Sequence, residues 1–544
     1  MSDLKRQTKT TLQKIMMPRT FFLLVSVLGQ LVILIAVISR FNEYFALFYA
    51  FSLVLSLVAF LWVVNSRINP AYKIAWIIPI MLFPIFGGLF YLFLGRSKMS
   101  RRRAEKMKAH EAKVKEAMKA HEPETMRCLQ AMEAHHIEAA VQSRYIANYG
   151  GYPPYEKVAG EYLSIGELKF QRLLSELKKA ERFIFMEYFI IEEGVMWNQI
   201  LAVLKEKAAQ GVDVRLIYDD MGCLFTLPRD YHRHLETMGI QCGVFNPLIP
   251  VLSLRMNHRD HRKITVIDGH TGFTGGINLA DEYINEIVKY GHWKDTAIMI
   301  KGPAVWNLTV MFLAMWDYLK GLDEDFFQFH PAAHHHAHND YNETVVEDST
   351  DRPGPVADDL PETGFVQPFA DSPLDDEPVS ETVYLNMIYK AKKSVYITTP
   401  YLIIANEMVT ALCAAAKGGV DVRIITPHKW DKWYVHVVTR TYYRVLVESG
   451  VKIYEYTPGF MHAKTFVVDD LYGVVGTINM DYRSLYLHFE CGVWLYHTPS
   501  VKELTHDFLD TLKVCHQVTM KDFQQVRWYT TLLGSVLRVF APML

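Results

Sequence analysis

Nothing in this chain pairs its cysteines. Cys128, Cys223, Cys242, Cys413, Cys491 and Cys515 are scattered with no C-x-x-C spacing. That excludes a disulfide framework or a structural zinc site and fits a reducing compartment. Charge is scarce as well: 21% of residues are charged and the formal net charge is −2. There is no basic footprint for nucleic acid. No group of Asp and Glu sits beside the motifs described below, so no metal or other cofactor is called for. What abounds is apolar sequence, 50% of 544 residues. That is greasy for a soluble enzyme, and the length holds two or three domains, each with its own core.

Three apolar stretches crowd the N-terminus, Thr20–Ser39, Tyr44–Val64 and Ile74–Gly95. Each matches the ~20 residues that cross a ~30 Å hydrocarbon layer, whereas a cleaved signal peptide would be shorter and solitary. The expectation is a multi-pass membrane module. Lys5, Arg6, Lys9, Lys14 and Arg19 precede it, and Arg96, Lys98, Arg101, Arg102 and Arg103 follow it. The positive-inside bias places both clusters on the cytoplasmic face, which three full spans forbid. Pro79, Pro84, Gly87 and Gly88 interrupt the third stretch and single it out as the re-entrant or interfacial one.

The rest divides by composition. After the module (1–96) comes a charged helical connector (97–155), then an α/β region (156–327). A stretch rich in His, Asp, Pro and Glu (328–380) follows, read as a surface linker despite its run His334, His335, His336, His338. A second α/β region (381–520) and an apolar C-terminal segment (521–544) complete the chain. The two α/β regions share an order of elements. Phe183–Ile191 (strand), Ile200–Ala209 (helix), Val212–Tyr218 (strand) and Tyr231–Met238 (helix) correspond to Ser394–Ile404, Met408–Lys417, Val420–Thr426 and Val435–Ser449. Gly-Val-Asp-Val-Arg recurs verbatim at 211–215 and 419–423. Such a shared order argues for duplication of one fold unit with parallel or mixed sheets under helices.

Each unit carries the same short pattern. His261-Arg262-Lys263 with Asp268 precedes Gly275-Gly276-Ile277-Asn278; His462-Ala463-Lys464 with Asp469 precedes Gly476-Thr477-Ile478-Asn479 at identical offsets. On a strand, i and i+2 share a face, so each His and Lys point together. The Asp falls at the strand end, where it is expected to hold backbone or a turn. The small residues are expected to let backbone approach a ligand, and the Asn amides to donate to phosphate. Neither half alone carries nucleophile, acid and cations enough for displacement at phosphorus. Two facing halves do: one imidazole attacks, the other protonates the leaving oxygen, and two lysines offset charge on the equatorial oxygens. A nucleophilic imidazole needs its other nitrogen held by an acceptor. Glu490, 28 residues after His462, is the expected holder there; Asp295, 34 residues after His261, is its counterpart in the first half.

The doubled His-x-Lys-x4-Asp resembles the phospholipase D superfamily and, within it, bacterial cardiolipin synthases. The resemblance extends over nearly the whole chain: Pro84-Ile85-Phe86-Gly87-Gly88 through Phe93-Leu94-Gly95-Arg96, both halves, Thr399-Pro400-Tyr401, Asn479-Met480-Asp481-Tyr482-Arg483-Ser484, and Phe540-Ala541-Pro542-Met543-Leu544. An additional leading apolar segment and a longer acidic linker depart from it. The fold it implies is two duplicated phospholipase D-like α/β sandwich halves packed together behind an N-terminal helical membrane module. The activity it implies is transfer of a phosphatidyl group between two phosphatidylglycerol molecules, giving cardiolipin and glycerol through a phosphatidyl-histidine. His261, Lys263, Asp268, His462, Lys464 and Asp469 carry over as the catalytic set, with His261 the nucleophile and His462 the acid and base. Lys263, Lys464, Asn278 and Asn479 carry over as phosphate ligands, Asp268 and Asp469 as structural supports. Partners are then anionic phospholipids and a bacterial inner membrane with both halves on the cytoplasmic face; self-association is left open. A hydrolytic phospholipase D is the rival reading. A nuclease sits badly with the charge and the apolar N-terminus, and a scaffold with a decayed site badly with two complete motifs.

Overall fold

The computed structural model describes residues 45–92, 112–119, 121–247, 258–331 and 364–543, apart from positions 67, 84–86, 376 and 525, with residue 105 and isolated positions before 45. Most of the first apolar stretch, both basic clusters and the His334–His338 run lie outside the described residues.

Two mixed sheets have the same strand order. In the first the order is Ala159–Leu163, Ala297–Lys301, Thr271–Gly275, Ile264–Ile267, Phe183–Tyr188, Asp213–Asp219, Gln241–Phe245. In the second it is Phe365–Asp371, His488–Tyr496, Tyr472–Gly476, Thr465–Val468, Ser394–Thr398, Asp421–Pro427, Lys452–Tyr456, with Cys515–Gln517 added at the far edge. The duplication inferred from element order is thus a duplication of topology. Two readings of extent change. Phe365–Asp371 is a strand of the second sheet, paired with His488–Tyr496, so the 328–380 stretch is not all linker. Ser394–Ile404 is two strands, Ser394–Thr398 and Leu402–Ile403, because Pro400 cannot donate to a ladder.

The motif Asp residues explain the hairpins. Asp268 (φ 53°) and Asp469 (φ 57°) sit in the left-handed region at equivalent turns, a conformation Asp tolerates. Asp268 accepts from the backbone N–H groups of Glu181, Arg182 and Phe183 at 2.8–2.9 Å. Asp469 does the same for Lys392, Lys393 and Ser394 at 2.7–2.8 Å. Each ties its own hairpin to the start of the neighbouring strand.

The halves share one core. Helix Val305–Lys320 is buried nearly all round, with Trp306, Phe312 and Trp316 inside, and lies between them. Its Asn307 amide donates to Pro153 O at 3.0 Å and to Pro368 O at 2.9 Å, in different parts of the chain. Five cysteines are buried, Cys515 is half-buried, and all six are free.

At the N-terminus, helices Phe45–Asn65, Pro70–Leu82 and Gly87–Phe90 form a small bundle. The third apolar stretch is broken after Leu82, and Pro79 lies in the helix before the break. Gly88 is needed for contact: its N–H donates to Ser56 Oγ at 2.9 Å, and a Cβ there would lie 2.7 Å from Ser56 N. Among the described residues, no helix is long and apolar enough to cross a membrane. The bundle packs on the second half: Asn69 donates to Tyr486 OH at 2.9 Å, and the Tyr72 ring meets Tyr482 edge-on at 5.8 Å.

Candidate active site

Two short parallel ladders stitch the halves together, and they build the site. Arg259–Asp260, just before the first motif, pairs with His488–Phe489 of the second half. Gly459–Met461, just before the second motif, pairs with His292–Lys294 of the first. Each ladder continues by one more bond into a motif histidine: His261 N donates to Phe489 O at 3.0 Å, His462 N to Lys294 O at 2.7 Å.

That exchange corrects the expected pairing of histidines and carboxylates. Nδ1 of His261 lies 2.9 and 3.0 Å from the two Glu490 oxygens, and Nδ1 of His462 lies 2.6 Å from Asp295 Oδ2. Each imidazole is therefore held by an acid from the opposite half. Offsets along the chain suggested partners within one half because the halves are related by duplication. The ladders swap them, since the strand before each histidine runs beside the strand before the other half's acid. With Nδ1–H held by an acceptor, Nε2 of each ring carries the free lone pair.

Both histidines and both lysines are almost wholly buried. Lys263 Nζ donates to His261 O at 2.6 Å, and Lys464 Nζ donates to His462 O and lies 2.8 Å from His462 Nδ1. Burial lowers Lys263 to about 7, opposed by Glu490 and reinforced by Lys464. Lys464 falls to about 8 for the same first reason, opposed by Asp295 and Glu490. Burial also pushes Glu490 up to about 8 against the pull of Lys263, and holds His261 well below its ordinary value. Burial thus disfavours the charged form of both members of the Glu490–His261 pair. His462 is lowered to about 4 by burial and Lys464, but Asp295 pulls it the other way. An anion bound between the lysines would oppose this lowering and favour their protonated forms.

The remaining predicted residues fall as follows. Asn278 is buried; its amide donates to Tyr283 OH at 2.7 Å, and Oδ1 accepts from Ile190 N at 3.0 Å. Asn479 is buried with Oδ1 unpartnered. Asp268 and Asp469 are occupied by the backbone bonds already described. The small residues after the motifs make room for protein rather than for ligand backbone. A Cβ on Gly276 would lie 2.1 Å from Asp295 Oδ1, whereas Thr477, at the same position of the second half, donates its hydroxyl to Glu490 Oε2. One position thus accommodates Asp in one half and hydrogen-bonds Glu in the other.

Several site residues escaped the sequence reading. Lys169 is fully buried, donates to Tyr188 OH at 3.0 Å and is lowered to about 7 by burial, between Asp295 and Lys263. Its signal was a lysine four and eight positions before Leu173 and Leu177, on the buried face of helix Gly166–Leu177. Arg262, between His261 and Lys263, points away from the site to Glu187 (2.5 Å) and Asp260 (3.0 Å). Aromatic rings close the His462 side: Trp293, Tyr283 and Phe460 have centroids 5.2, 5.5 and 5.8 Å from it.

Residues 173–316 and 384–512, half of the chain, match the cardiolipin synthase, phospholipase D-like domain family, and residues 54–96 match the phospholipase D-nuclease N-terminal family. An uncharacterized protein of Streptococcus mutans is 42% identical over 484 residues, 89% of this chain and 99% of that one. A cardiolipin synthase of Geobacillus kaustophilus is 35% identical over 493 residues, 90% of this chain and 92% of its own. The crystal structure of a Haemophilus influenzae phosphatidylserine synthase superposes with a TM-score of 0.52 at 15% identity, covering 74% of this chain and 97% of that one, a likeness of fold. Buried twin motifs, a duplicated topology and these matches over most of its length agree: the chain belongs to the cardiolipin synthase family of phospholipase D-like proteins and is a phospholipid-modifying enzyme.

Proposed function

We propose that the chain transfers a phosphatidyl group between two phosphatidylglycerol molecules, forming cardiolipin and releasing glycerol. The observation that carries this reading is the crossed pair of histidine–carboxylate bonds, which leaves two free Nε2 atoms beside two buried lysines. Nε2 of His261 attacks phosphorus, the P–O bond to glycerol breaks, and the departing oxygen takes a proton from His462. The phosphatidyl group rests on His261 until the hydroxyl of a second phosphatidylglycerol gives its proton to His462 and displaces the imidazole. Two features support this order. Asp295 favours the protonated form of His462, as acid–base work requires, while burial first, and then Lys263 and His488, disfavour protonation of His261. In this reading Lys263, Lys464 and Asn479 take the phosphate, and Asn278 contributes the amide N–H that Tyr283 leaves free.

The site is read as working at a bilayer, because both substrates and the product are lipids. Leu57 (58% exposed) and Leu82 (68%) on the N-terminal bundle and Trp528 (77%) on the C-terminal helix Trp528–Val539 expose apolar surface. Such a surface fits a membrane contact. The deciding experiment offers labelled phosphatidylglycerol in vesicles to the purified protein. Cardiolipin plus glycerol, with an acid-labile phospho-adduct on quenching, is the expected result; phosphatidic acid without cardiolipin refutes the transfer and leaves hydrolysis.

A further inference from the structure

The two cross-half ladders carry different chemistry two residues before each motif histidine. On the His462 side the paired residues are Phe460 and Trp293, with centroids 4.9 Å apart. On the His261 side the same two positions are Arg259 and His488. In extended chain, i and i+2 share a face. Arg259 and His488 therefore lie on the ladder face that presents His261 and Glu490, displaced ~7 Å along it. The rings of His261 and His488 are 6.0 Å apart.

Both side chains keep a buried polar nitrogen that the protein does not use. Arg259 is 4% exposed; its Nη1 donates to Asn246 O at 3.2 Å and lies 3.5 Å from Asp219 Oδ1, while Nη2 is buried with no acceptor. His488 Nδ1 is buried and unpartnered as well. Arg483 and His258 are near enough to weaken proton binding by His488, after burial itself. The acids that face Arg259 are Asp219 and Asp220; burial pushes the Asp219 carboxyl up against the pull of Arg259, and its one contact with the guanidinium, through Nη1, is long at 3.5 Å. A buried guanidinium N–H without an acceptor is costly unless a ligand provides one.

We propose that Arg259 and His488, with Arg483 beside them, form a second anion subsite that holds the phosphodiester of the second phospholipid while the first occupies the site between His261 and His462. The inference rests on the two-lipid transfer proposed above. Its chemistry is that of the product, in which two phosphodiesters are joined by one glycerol, a bridge of the same reach as the displacement along the ladder. On the opposite flank the positions of Arg259 and His488 are taken by Phe460 and Trp293, so the two lipids meet the site from unlike sides.

The test uses full-length enzyme in vesicles and compares two acceptors for the same phosphatidyl donor. Phosphatidylglycerol carries a phosphate; labelled glycerol, read as headgroup exchange, does not. In Arg259→Ala, cardiolipin formation should fall about ten- to hundredfold further than glycerol exchange, with a raised KM for the lipid acceptor, and Arg259→Lys should recover part of it. Equal losses with both acceptors overturn the subsite. If Arg259→Ala does not fold, His488→Asn is read by the same ratio, and an unchanged ratio there likewise overturns it. Failure of the unmodified enzyme in both reactions refutes the transfer reading itself.

Discussion

The two flanks of the site come from one duplicated unit, yet they have diverged in opposite directions. On the His462 flank the acid is the shorter Asp295, the residue between His and Lys is Ala463, and the approach is aromatic. On the His261 flank the acid is Glu490, bonded also by Thr477, Arg262 anchors a buried trio with Glu187 and Asp260, and the approach is cationic. Symmetry supplies two imidazoles, and the asymmetry sets them in unlike surroundings. Under the proposed transfer, the carboxylate beside His462 suits the proton carrier, and the buried, cation-flanked His261 suits the nucleophile.

Replacement of the histidines should break this comparison most severely. His261→Ala and His462→Ala each lose about a thousandfold or more in turnover. A donor with a leaving group that needs no protonation separates them: His462→Ala still accumulates an acid-labile adduct and His261→Ala does not, and the reverse pattern exchanges the two roles. Next come the acids. Asp295→Asn should cost about a thousandfold and Glu490→Gln about tenfold to a hundredfold, because only the first removes a charge that supports an imidazolium. Equal losses would show that the flanks are electrostatically alike.

Gly276→Thr should displace Asp295 and cost about a hundredfold, whereas Thr477→Gly removes one hydrogen bond to Glu490 and costs about tenfold; steady-state kinetics on folded variants checks both. Asp268→Asn and Asp469→Asn sharpen the comparison by showing none: each weakens three backbone bonds, so denaturation should register about 2 kcal/mol in either half, with kcat nearly kept. The smallest effect is on pH. Lysines lowered to about 7 and 8 are charged below those values and neutral above them, so kcat/KM falls as pH rises through 7–8. Bound phosphodiester raises them, so the falling limb of kcat lies at higher pH.

Much of this was legible in the sequence. The twin motif, its shared offsets and the verbatim Gly-Val-Asp-Val-Arg announced duplication, and a carboxylate at a strand end pointed to a turn. What offsets cannot express is which half a neighbour comes from. The ladders that exchange Glu490 and Asp295 are two and three residues long, too short for any period, and exist only once the halves have docked. Lys169 and His488 were invisible for a related reason, since each is brought to the site by packing from a distant element. Spacing says which side chains travel together; only the assembled sheets say what they meet.

The crossing also sets when the enzyme can first work. Glu490 lies 229 residues beyond His261. A ribosome making ~5–20 residues per second exposes a completed first half well before the carboxylate that orients its histidine has been made. Through that interval the nascent chain carries a first motif without its holder. The pair of histidines is fully held only once the last long strand, His488–Tyr496, has added to the second sheet.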